Sequence, residues 1–193
     1  MESRQAFLEI IVGPMFSGKT THLVGLYEKY KEAGISVLAV NFSADKRYHD
    51  SMLSTHDKIM IPCIFTEELT DVIDKIADAD AILINEGQFF PDLFDVVESL
   101  IDHSKKRIHI CGLDGDFKRK RFGQILDLIP LCDTITKLHA KCCNCGHPGI
   151  FSHRVTDETE QVVIGSSNYL PLCRQCYNHS NFVESSKPVF TFT

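Results

Sequence analysis

Residues 8–20 read LEIIVGPMFSGKT, an apolar run followed by a loop that contains two glycines and a lysine. The first five residues are apolar apart from Glu9, and such a short β-branched run predicts a buried strand. After the loop, apolar side chains recur at helical spacing until Gly34, at Leu23, Leu26, Tyr27 and Tyr30. The segment therefore predicts a strand, a tight loop and an amphipathic helix.

The loop between this strand and helix matches the phosphate-binding pattern G-x-x-x-x-G-K-[ST]. Its glycines allow a tight turn in which backbone N–H groups point at phosphate oxygens, and the helix N-terminus faces the same anion. Lys19 is expected at the β- and γ-phosphates of a nucleotide, and Thr20 at Mg²⁺. An ordinary strand–helix turn is the alternative, but the flanking strand and helix favour a phosphate loop. We expect ATP to contact the whole loop, which consists of Gly13, Pro14, Met15, Phe16, Ser17, Gly18, Lys19 and Thr20.

Apolar runs and helical patterns alternate along the next hundred residues. Strands are predicted at residues 37–40, 81–84, 108–113 and 134–138, and helices at residues 67–77, with Thr66 as the N-cap, and 94–101. This alternation is typical of an α/β protein with a parallel sheet. Residues 42–57 are predicted to be irregular, and the charged residues 114–123 to form a mobile loop.

An acidic residue, Glu86, follows the third predicted strand. Ligands of open α/β sheets bind at the carboxyl ends of the strands, so we expect Glu86 beside the phosphate loop. A carboxylate there can accept the proton of an attacking hydroxyl or help to hold magnesium. A solvated turn residue is the alternative, and the phosphate loop favours the functional interpretation. Phe89 and Phe90 fit either the core or a stack on a base.

Two CxxC pairs lie near the C-terminus, Cys142 with Cys145 and Cys173 with Cys176. Each pair can bring two thiolates to one ion, and four thiolates form a closed tetrahedral zinc site of the structural kind. Redox-active cysteines or disulfides are the alternative, which a reducing compartment disfavours. Cys143 competes as a ligand. The remaining cysteines lie in or beside apolar runs and are predicted to be core residues, namely Cys63, Cys111 and Cys132.

Composition limits the possible functions. The 193 residues include 20 basic and 26 acidic side chains, a formal charge of −6, and residues 142–193 carry three basic against four acidic residues. Binding to a nucleic-acid backbone favours a basic surface, so we expect no nucleic-acid partner. The chain has no apolar run long enough to span a membrane and no signal-peptide pattern at its start, so we expect a cytoplasmic protein without a membrane partner.

The order of the motifs resembles that of the thymidine kinases of the zinc-containing, tetrameric family. The resemblance covers residues 8–177 and rests on GPMFSGKT at 13–20, DKRY at 45–48, THD at 55–57, EGQFFPD at 86–92, LDG at 113–115, RKRFG at 119–123 and the two CxxC pairs. The basic residues 118–121 resemble eukaryotic and poxviral members more than bacterial ones.

The resemblance implies transfer of the γ-phosphoryl group of ATP to the 5′-hydroxyl of thymidine, and also of deoxyuridine, in nucleotide salvage. It implies Glu86 as the catalytic base, with Lys19 and Arg47 assisting, and Thr20, Asn85 and Asp45 at the magnesium ion. It implies a nucleoside pocket formed by Met15, Phe89, Leu113, Phe117, Phe122, Ser152, Arg154, Val163, Gly165 and Tyr169. Members of the family are homotetramers that the end product thymidine triphosphate (dTTP) inhibits.

The chain is predicted to form two domains, and two positions depart from the family pattern. We expect a P-loop ATP-binding domain at 1–140, and a zinc-binding domain with a nucleoside lid and a polar tail at 141–193. Asn85 stands where the family has aspartate, and one residue fewer separates Gly165 from Tyr169. Because Asn85 supplies no negative charge, a catalytically weak homologue that binds thymidine or dTTP stays open as an alternative. A nucleic-acid-binding ATPase with a zinc ribbon is a second alternative, which the acidic balance disfavours.

Overall fold

The structure is a computed structural model that describes residues 5–43, 52–54, 59–163, 165 and 167–182. Among these residues the strands are β1 (Phe7–Val12), β2 (Val37–Phe42), β3 (Met52–Ser54), β4 (Met60–Pro62), β5 (Ile64–Thr66), β6 (Ala81–Asn85), β7 (Arg107–Gly112), β8 (Thr134–Lys137), β9 (Ala140–Lys141), β10 (Pro148–Gly149), β11 (Phe151–Arg154) and β12 (Tyr169–Leu172). The α-helices are α1 (Lys19–Glu32), α2 (Ile73–Asp78), α3 (Leu93–His103) and α4 (Arg174–Phe182). Short 3₁₀ turns lie at Thr70–Val72, Gly87–Phe89 and Ile125–Leu131.

Six strands form one sheet in the order β5-β2-β6-β7-β1-β8, and each neighbouring pair runs parallel. The predicted parallel α/β sheet is therefore confirmed. Because the strands are parallel, the loops that follow Val12, Asn85 and Gly112 all leave from the same edge of the sheet. This edge is where open α/β sheets bind their ligands.

Helices cover both faces of the sheet. Successive residues of a strand point to opposite faces, so Ile82 and Ile84 join a core with α2 and α3, whereas Leu83 joins a core with α1. All five residues of β6 are buried, as expected for a strand that is covered on both sides. None of the described helices is both long and apolar enough to cross a membrane.

The helix predicted at 67–77 is wrong in its first half. Thr66 is the last residue of β5, not an N-cap, and α2 begins only at Ile73, after a 3₁₀ turn. The carboxylate of Asp92 accepts hydrogen bonds from the backbone N–H groups of Leu69 and Thr70, at 3.1 and 2.8 Å. A partner distant in sequence thus satisfies the donors of this turn, so the chain does not need a regular helix there.

The segment predicted to be irregular contains strand structure. β2 continues through Phe42, and β3 pairs antiparallel with β4 in a hairpin that buries Leu53 and Ile61. Three-residue strands are too short to show a periodic pattern, which is why the sequence did not predict them. Residues 44–51 and 55–58 lie outside the described residues.

The C-terminal part consists of two short hairpins, β9 with β10 and β11 with β12, followed by α4. Its small core contains Cys142, Leu172 and Tyr177. The chain after Tyr177 was predicted only to be polar, yet α4 continues to Phe182. The domain boundary at Ala140 stays a prediction.

Candidate active site

The predicted phosphate loop lies between β1 and α1, in the strand–loop–helix context that the pattern requires. A Cβ atom at Gly13 would lie 2.5 Å from the carbonyl oxygen of Leu138, so only glycine fits where the loop passes the end of β8. Gly18 is the N-cap of α1 and has φ 82°, in the left-handed region that glycine adopts without strain. The structure therefore explains why the pattern has glycine at both positions.

Positive charge is concentrated inside this loop. The Lys19 side chain turns back over it, and its Nζ donates hydrogen bonds to the carbonyl oxygens of Pro14, at 2.7 Å, and Gly13, at 3.1 Å. The hydroxyl of Ser17 is buried without a hydrogen-bond partner among the described residues. A buried ammonium and an unsatisfied hydroxyl beside a helix N-terminus are groups that suit a phosphate ligand.

The Thr20 hydroxyl contacts the end of β6. Its Oγ1 donates a long hydrogen bond, 3.5 Å, to Oδ1 of Asn85. The same oxygen accepts from Sγ of Cys111, at 3.0 Å, while Nδ2 of Asn85 donates to Oδ1 of Asn41, at 2.8 Å. The predicted magnesium residues Thr20 and Asn85 are thus brought together, and their oxygens are the hard ligands that Mg²⁺ prefers. Asp45 and Arg47, predicted at the magnesium and the phosphates, lie outside the described residues.

Glu86 lies directly after β6, with its backbone in the left-handed region at φ 55°. Such strain at a residue other than glycine clusters at functional sites. Nε2 of Gln88 donates to a carboxylate oxygen of Glu86 at 2.6 Å, and Oε1 of Gln88 accepts from the backbone N–H of Leu113 at 3.0 Å. Gln88 is buried and orients the carboxylate. The sequence prediction did not include it, although its position two residues after Glu86 in a short turn was the available signal.

Aromatic rings line the chain beside Glu86. Phe89 stacks on Phe42, with ring centroids 5.3 Å apart, and meets Phe122 edge to face, also at 5.3 Å. Phe90 is fully buried in the core, so it is Phe89 that stays partly accessible. The structure brings the predicted pocket residues Phe89 and Phe122 together and adds Phe42, which the sequence pattern assigned only to an irregular segment.

A second group of predicted pocket residues lies around Arg154, which is buried with only 5% of its surface exposed. Its guanidinium lies 3.7 Å from the ring centroid of Phe117 and donates to the hydroxyl of Tyr169. It also donates to three backbone carbonyls of the following loop, those of Glu158, Glu160 and Gln161. The Tyr169 hydroxyl donates to the carbonyl oxygen of Val163 at 3.1 Å. This loop, residues 155–168 between β11 and β12, is the predicted nucleoside lid. Arg154 therefore holds several parts of the lid together.

Hydrogen bonds join the lid to the charged segment 114–123. Nε2 of Gln161 donates to the Asp116 carboxylate at 2.8 Å and to the carbonyl oxygen of Arg121 at 3.1 Å. Asp116 in turn accepts from the backbone N–H groups of Lys118 and Lys120, each at 2.8 Å. The segment has no helix or strand, as predicted, but these contacts give it a defined turn. Gly165 lies in the same lid, between residues 164 and 166, which are outside the described residues.

A hydrogen bond connects the phosphate loop with the C-terminal part. The backbone N–H of Met15 donates to Oγ of Ser152 at 2.9 Å. Ser152 is buried on β11, two residues before Arg154. Met15 and Ser152, both predicted to contact the nucleoside, are therefore in direct contact with each other.

The four cysteines of the two CxxC pairs come together at the C-terminal end. The Sγ atoms of Cys142, Cys145, Cys173 and Cys176 all lie within 4.8 Å of one another. Tetrahedral zinc with Zn–S bonds of about 2.3 Å separates its sulfurs by roughly 3.8 Å, and Cys145 and Cys173 are 3.6 Å apart. Cys143 is exposed and outside the cluster. The cluster is compatible with a structural zinc ion.

The ionisation of these thiols agrees with a cation site. Burial raises the pKa of Cys142, but hydrogen bonds from backbone groups near Cys173 and Cys145 outweigh it and lower that pKa to about 6. The pKa of Cys176 is raised to about 12, first by its hydrogen bond with Cys173. The pKa of Cys173 is also lowered, first by a backbone hydrogen bond at Cys176. Two of the four thiols therefore ionise more readily than an ordinary cysteine, and a bound cation would stabilise the negative charge that collects there.

In this chain, a loop with the phosphate-binding sequence pattern lies at the carboxyl edge of a parallel sheet. The same arrangement is typical of the P-loop class of α/β proteins. A model of known protein families matches residues 6–177, and its description is thymidine kinase. The chain belongs to the thymidine kinase family, a family of kinases.

Named relatives agree with this assignment. The thymidine kinase of Yaba monkey tumor virus is 39% identical over 178 residues, which cover 92% of this chain and 97% of the relative. The thymidine kinase of sheeppox virus is 41% identical over 172 residues, 89% and 96% of the two chains. A thymidine kinase of Oryza sativa subsp. japonica is 41% identical over 189 residues, 92% of this chain and 69% of the relative.

Proposed function

We propose that the protein transfers the γ-phosphoryl group of ATP to the 5′-hydroxyl of thymidine and so supplies dTMP by nucleotide salvage. The observation that carries this proposal is the contact between Thr20 of the phosphate loop and Asn85, the residue immediately before Glu86. It brings a phosphate-binding element and a carboxylate to the same edge of the sheet. Family membership adds the identity of the nucleoside.

Lys19 and the backbone N–H groups of the phosphate loop bind the phosphates of ATP and stabilise the charge that develops in the transition state. Thr20 and Asn85 offer the oxygens for Mg²⁺, which supplies further charge neutralisation when bound with ATP. Asp45 and Arg47 are also proposed to act in this region, at the magnesium ion and at the phosphates. This part of the proposal rests on the motif DKRY at 45–48 that contains them.

Glu86 accepts the proton of the 5′-hydroxyl as that oxygen attacks the γ-phosphorus, while the bond from this phosphorus to the β,γ-bridging oxygen breaks and ADP leaves. Gln88 holds one oxygen of the carboxylate by its short hydrogen bond, so the side chain is oriented before the substrate arrives. Positioning of this kind is the main contribution a protein makes to phosphoryl transfer. Gln88 is therefore a positioning residue for the base.

The nucleoside occupies the space near Phe89 and Phe122, with Met15, Leu113 and Phe117 as further apolar contacts. The lid, held by Arg154 and containing Val163, Gly165 and Tyr169, covers it and excludes water. Deoxyuridine lacks only the methyl group of thymidine, and one methyl discriminates by about 1–3 kcal/mol. We therefore expect deoxyuridine to be a substrate with lower kcat/KM.

The family resemblance supports four further proposals: structural zinc at the cysteine cluster, a homotetramer, inhibition by dTTP, and a cytoplasmic location. Inhibition by dTTP has a simple physical basis. The molecule carries a thymine for the nucleoside pocket and a triphosphate for the phosphate loop, so it can occupy both parts of the site together.

The test is phosphorylation of thymidine by ATP and Mg²⁺ with the native protein, Glu86→Gln and Asn85→Asp. Glutamine at position 86 keeps the size of the side chain and an oxygen for Gln88 but cannot take up the proton. We expect Glu86→Gln to lower kcat by about 10²- to 10⁴-fold while thymidine still binds.

If Glu86→Gln phosphorylated thymidine as fast as the native protein does, Glu86 could not be the catalytic base. A native protein that binds thymidine tightly without turnover, and gains turnover with Asn85→Asp, would instead support the weakly catalytic homologue. The neutral side chain of Asn85 is the observation that keeps this second candidate open.

A further inference from the structure

Asn41 and Asn85 form a buried pair of amides at the carboxyl edge of the sheet. They are direct neighbours in the register of β2 and β6, and their exposed fractions are 2% and 1%. Nδ2 of Asn85 donates to Oδ1 of Asn41 at 2.8 Å. A buried amide without hydrogen bonds is strongly destabilising in apolar surroundings. The two side chains therefore satisfy each other.

This hydrogen bond determines which end of the Asn85 amide faces the phosphate loop. An asparagine side chain has one acceptor end and one donor end. Because the donor end of Asn85 is held by Asn41, the carbonyl oxygen points to Thr20, 3.5 Å away, and to Cys111, 3.0 Å away. The hydroxyl of Thr20 and the thiol of Cys111 can rotate to donate or to accept, whereas Asn41 is buried and presents its acceptor end, Oδ1, to the Asn85 amide.

The orientation matters for the Thr20 hydroxyl, which has one proton and two lone pairs. When the proton is donated to Oδ1 of Asn85, the lone pairs of Thr20 are left for a cation. If the amide were reversed, Thr20 would accept a hydrogen bond from the NH₂ group, and its proton would compete with the cation. A carboxylate at position 85 would not face this problem, because its two oxygens are equivalent.

We propose that Asn41 is a positioning residue for magnesium: it holds the Asn85 amide so that its carbonyl oxygen, rather than its NH₂ group, faces Thr20. A neutral residue at position 85 can then support the metal side of the phosphate site, which makes Asn41 necessary in this chain. This inference rests on the proposed function, since it assumes that Mg²⁺ enters with ATP beside Thr20.

The test measures how much Mg²⁺ tightens the binding of the non-hydrolysable β,γ-imido analogue of ATP, by calorimetry with Mg²⁺ and with EDTA. The variants are Asn41→Leu, which removes the acceptor; Asn41→Asp, which keeps only acceptors; and Asn41→Leu combined with Asn85→Asp. Cys111→Ala is the matched control, because it removes the other partner of the Asn85 oxygen and leaves the amide held by Asn41. Thermal unfolding shows that each variant is folded.

We expect Asn41→Leu to lose about 10-fold or more of the Mg²⁺-dependent gain in affinity, with binding in EDTA unchanged. Asn41→Asp and Cys111→Ala should keep the gain, and Asn85→Asp should restore it in the Asn41→Leu background. A folded Asn41→Leu protein with the native gain would overturn the inference, and so would a double variant without rescue.

The readout separates this inference from the proposed function. A native protein with no gain from Mg²⁺ would overturn the inference together with the magnesium part of the proposed function. A native protein that shows the gain but phosphorylates no thymidine would contradict the proposed reaction alone.

Discussion

The hydroxyl of Tyr177 donates a hydrogen bond to the backbone carbonyl oxygen of Phe117, at 2.5 Å. Tyr177 follows Cys176 of the cysteine cluster, and Phe117 stacks on the guanidinium of Arg154. The guanidinium of Arg119 lies over the Tyr177 ring, 4.8 Å from its centroid. The C-terminal helix thus holds the segment that carries one wall of the proposed nucleoside pocket.

We predict that Tyr177→Phe raises the KM for thymidine several-fold with a smaller effect on kcat. The variant keeps the ring and removes only the hydroxyl, so the free energy of unfolding should fall by about 1 kcal/mol. Steady-state kinetics and denaturant unfolding measure the two effects. Tyr27→Phe, which removes a hydroxyl on α1 instead, is the control. Equal KM values for native protein and Tyr177→Phe would show that the contact does not shape the pocket.

Replacement of a clustered cysteine should remove bound zinc. We expect Cys173→Ser to lose zinc and to unfold at its C-terminal end, because a structural zinc site contributes on the order of 10 kcal/mol to folding. Elemental analysis and the thermal unfolding midpoint report these effects. Cys143→Ser is the matched control, since Cys143 is exposed and outside the cluster. Loss of zinc from Cys143→Ser would contradict the assigned ligand set.

Arg154→Lys should loosen the lid. Lysine keeps the charge but cannot reach the three carbonyls and the Tyr169 hydroxyl that the planar guanidinium contacts. We expect faster proteolytic cleavage within residues 155–163 and a KM for thymidine raised by about 10-fold, the effect of roughly 1.4 kcal/mol of lost binding. Arg174→Lys, at an exposed arginine over the ring of Phe151, provides the comparison. Cleavage at the native rate would indicate that the lid does not depend on Arg154.

The stability of the protein should fall in mild acid because of His109. His109 is 3% exposed, and its Nδ1 lies 2.8 Å from Glu9 and its Nε2 2.7 Å from the hydroxyl of Tyr30. Burial lowers the pKa of His109 below 6.5, although the hydrogen bond that its Nδ1 makes to the Glu9 carboxylate opposes this shift. The unfolded chain therefore binds the proton more readily. The stabilising contribution is complete above about pH 6.5 and is lost as the pH falls towards the lower pKa of the folded state.

Thermal unfolding of the native protein and of His109→Gln, from about pH 7.5 to about pH 5.5, tests this prediction. Glutamine does not titrate, so the variant should show a flatter dependence on pH, whatever its overall stability. Burial also lowers the pKa of His153. Its contribution to the pH dependence of stability is the same in the native protein and in His109→Gln, so it cancels when the two profiles are compared. Parallel pH profiles would rule out His109 as the source.

The first strand, loop and helix, the parallel strands and the cysteine cluster could be predicted because each has a local pattern. Such patterns can be recognised without knowledge of the fold: glycines at fixed spacing, apolar runs of four or more residues, and paired cysteines. The boundaries of the predicted strands at 81–84 and 108–113 differ by at most one residue at each end from those of β6 and β7.

The remaining parts of the site depend on pairings between distant segments, which no local pattern contains. Asn41 meets Asn85 because β2 and β6 are neighbours in the sheet. Asp92 satisfies the turn at Leu69 from 23 residues away, which is why the predicted helix begins late. Gln88 is fixed by the backbone of Leu113 on another loop. Such contacts become apparent only when the strand order is known.

The hydrogen bond between Met15 and Ser152 has a thermodynamic consequence for the two substrates. It joins the phosphate loop to the strand that leads into the lid. A ligand that shifts one of these elements changes the free energy of the other, and such linkage is reciprocal. The factor by which ATP alters the dissociation constant of thymidine must therefore equal the factor by which thymidine alters that of ATP. Because Ser152→Ala removes the hydrogen bond that joins the two elements, this variant should bring the common factor closer to one.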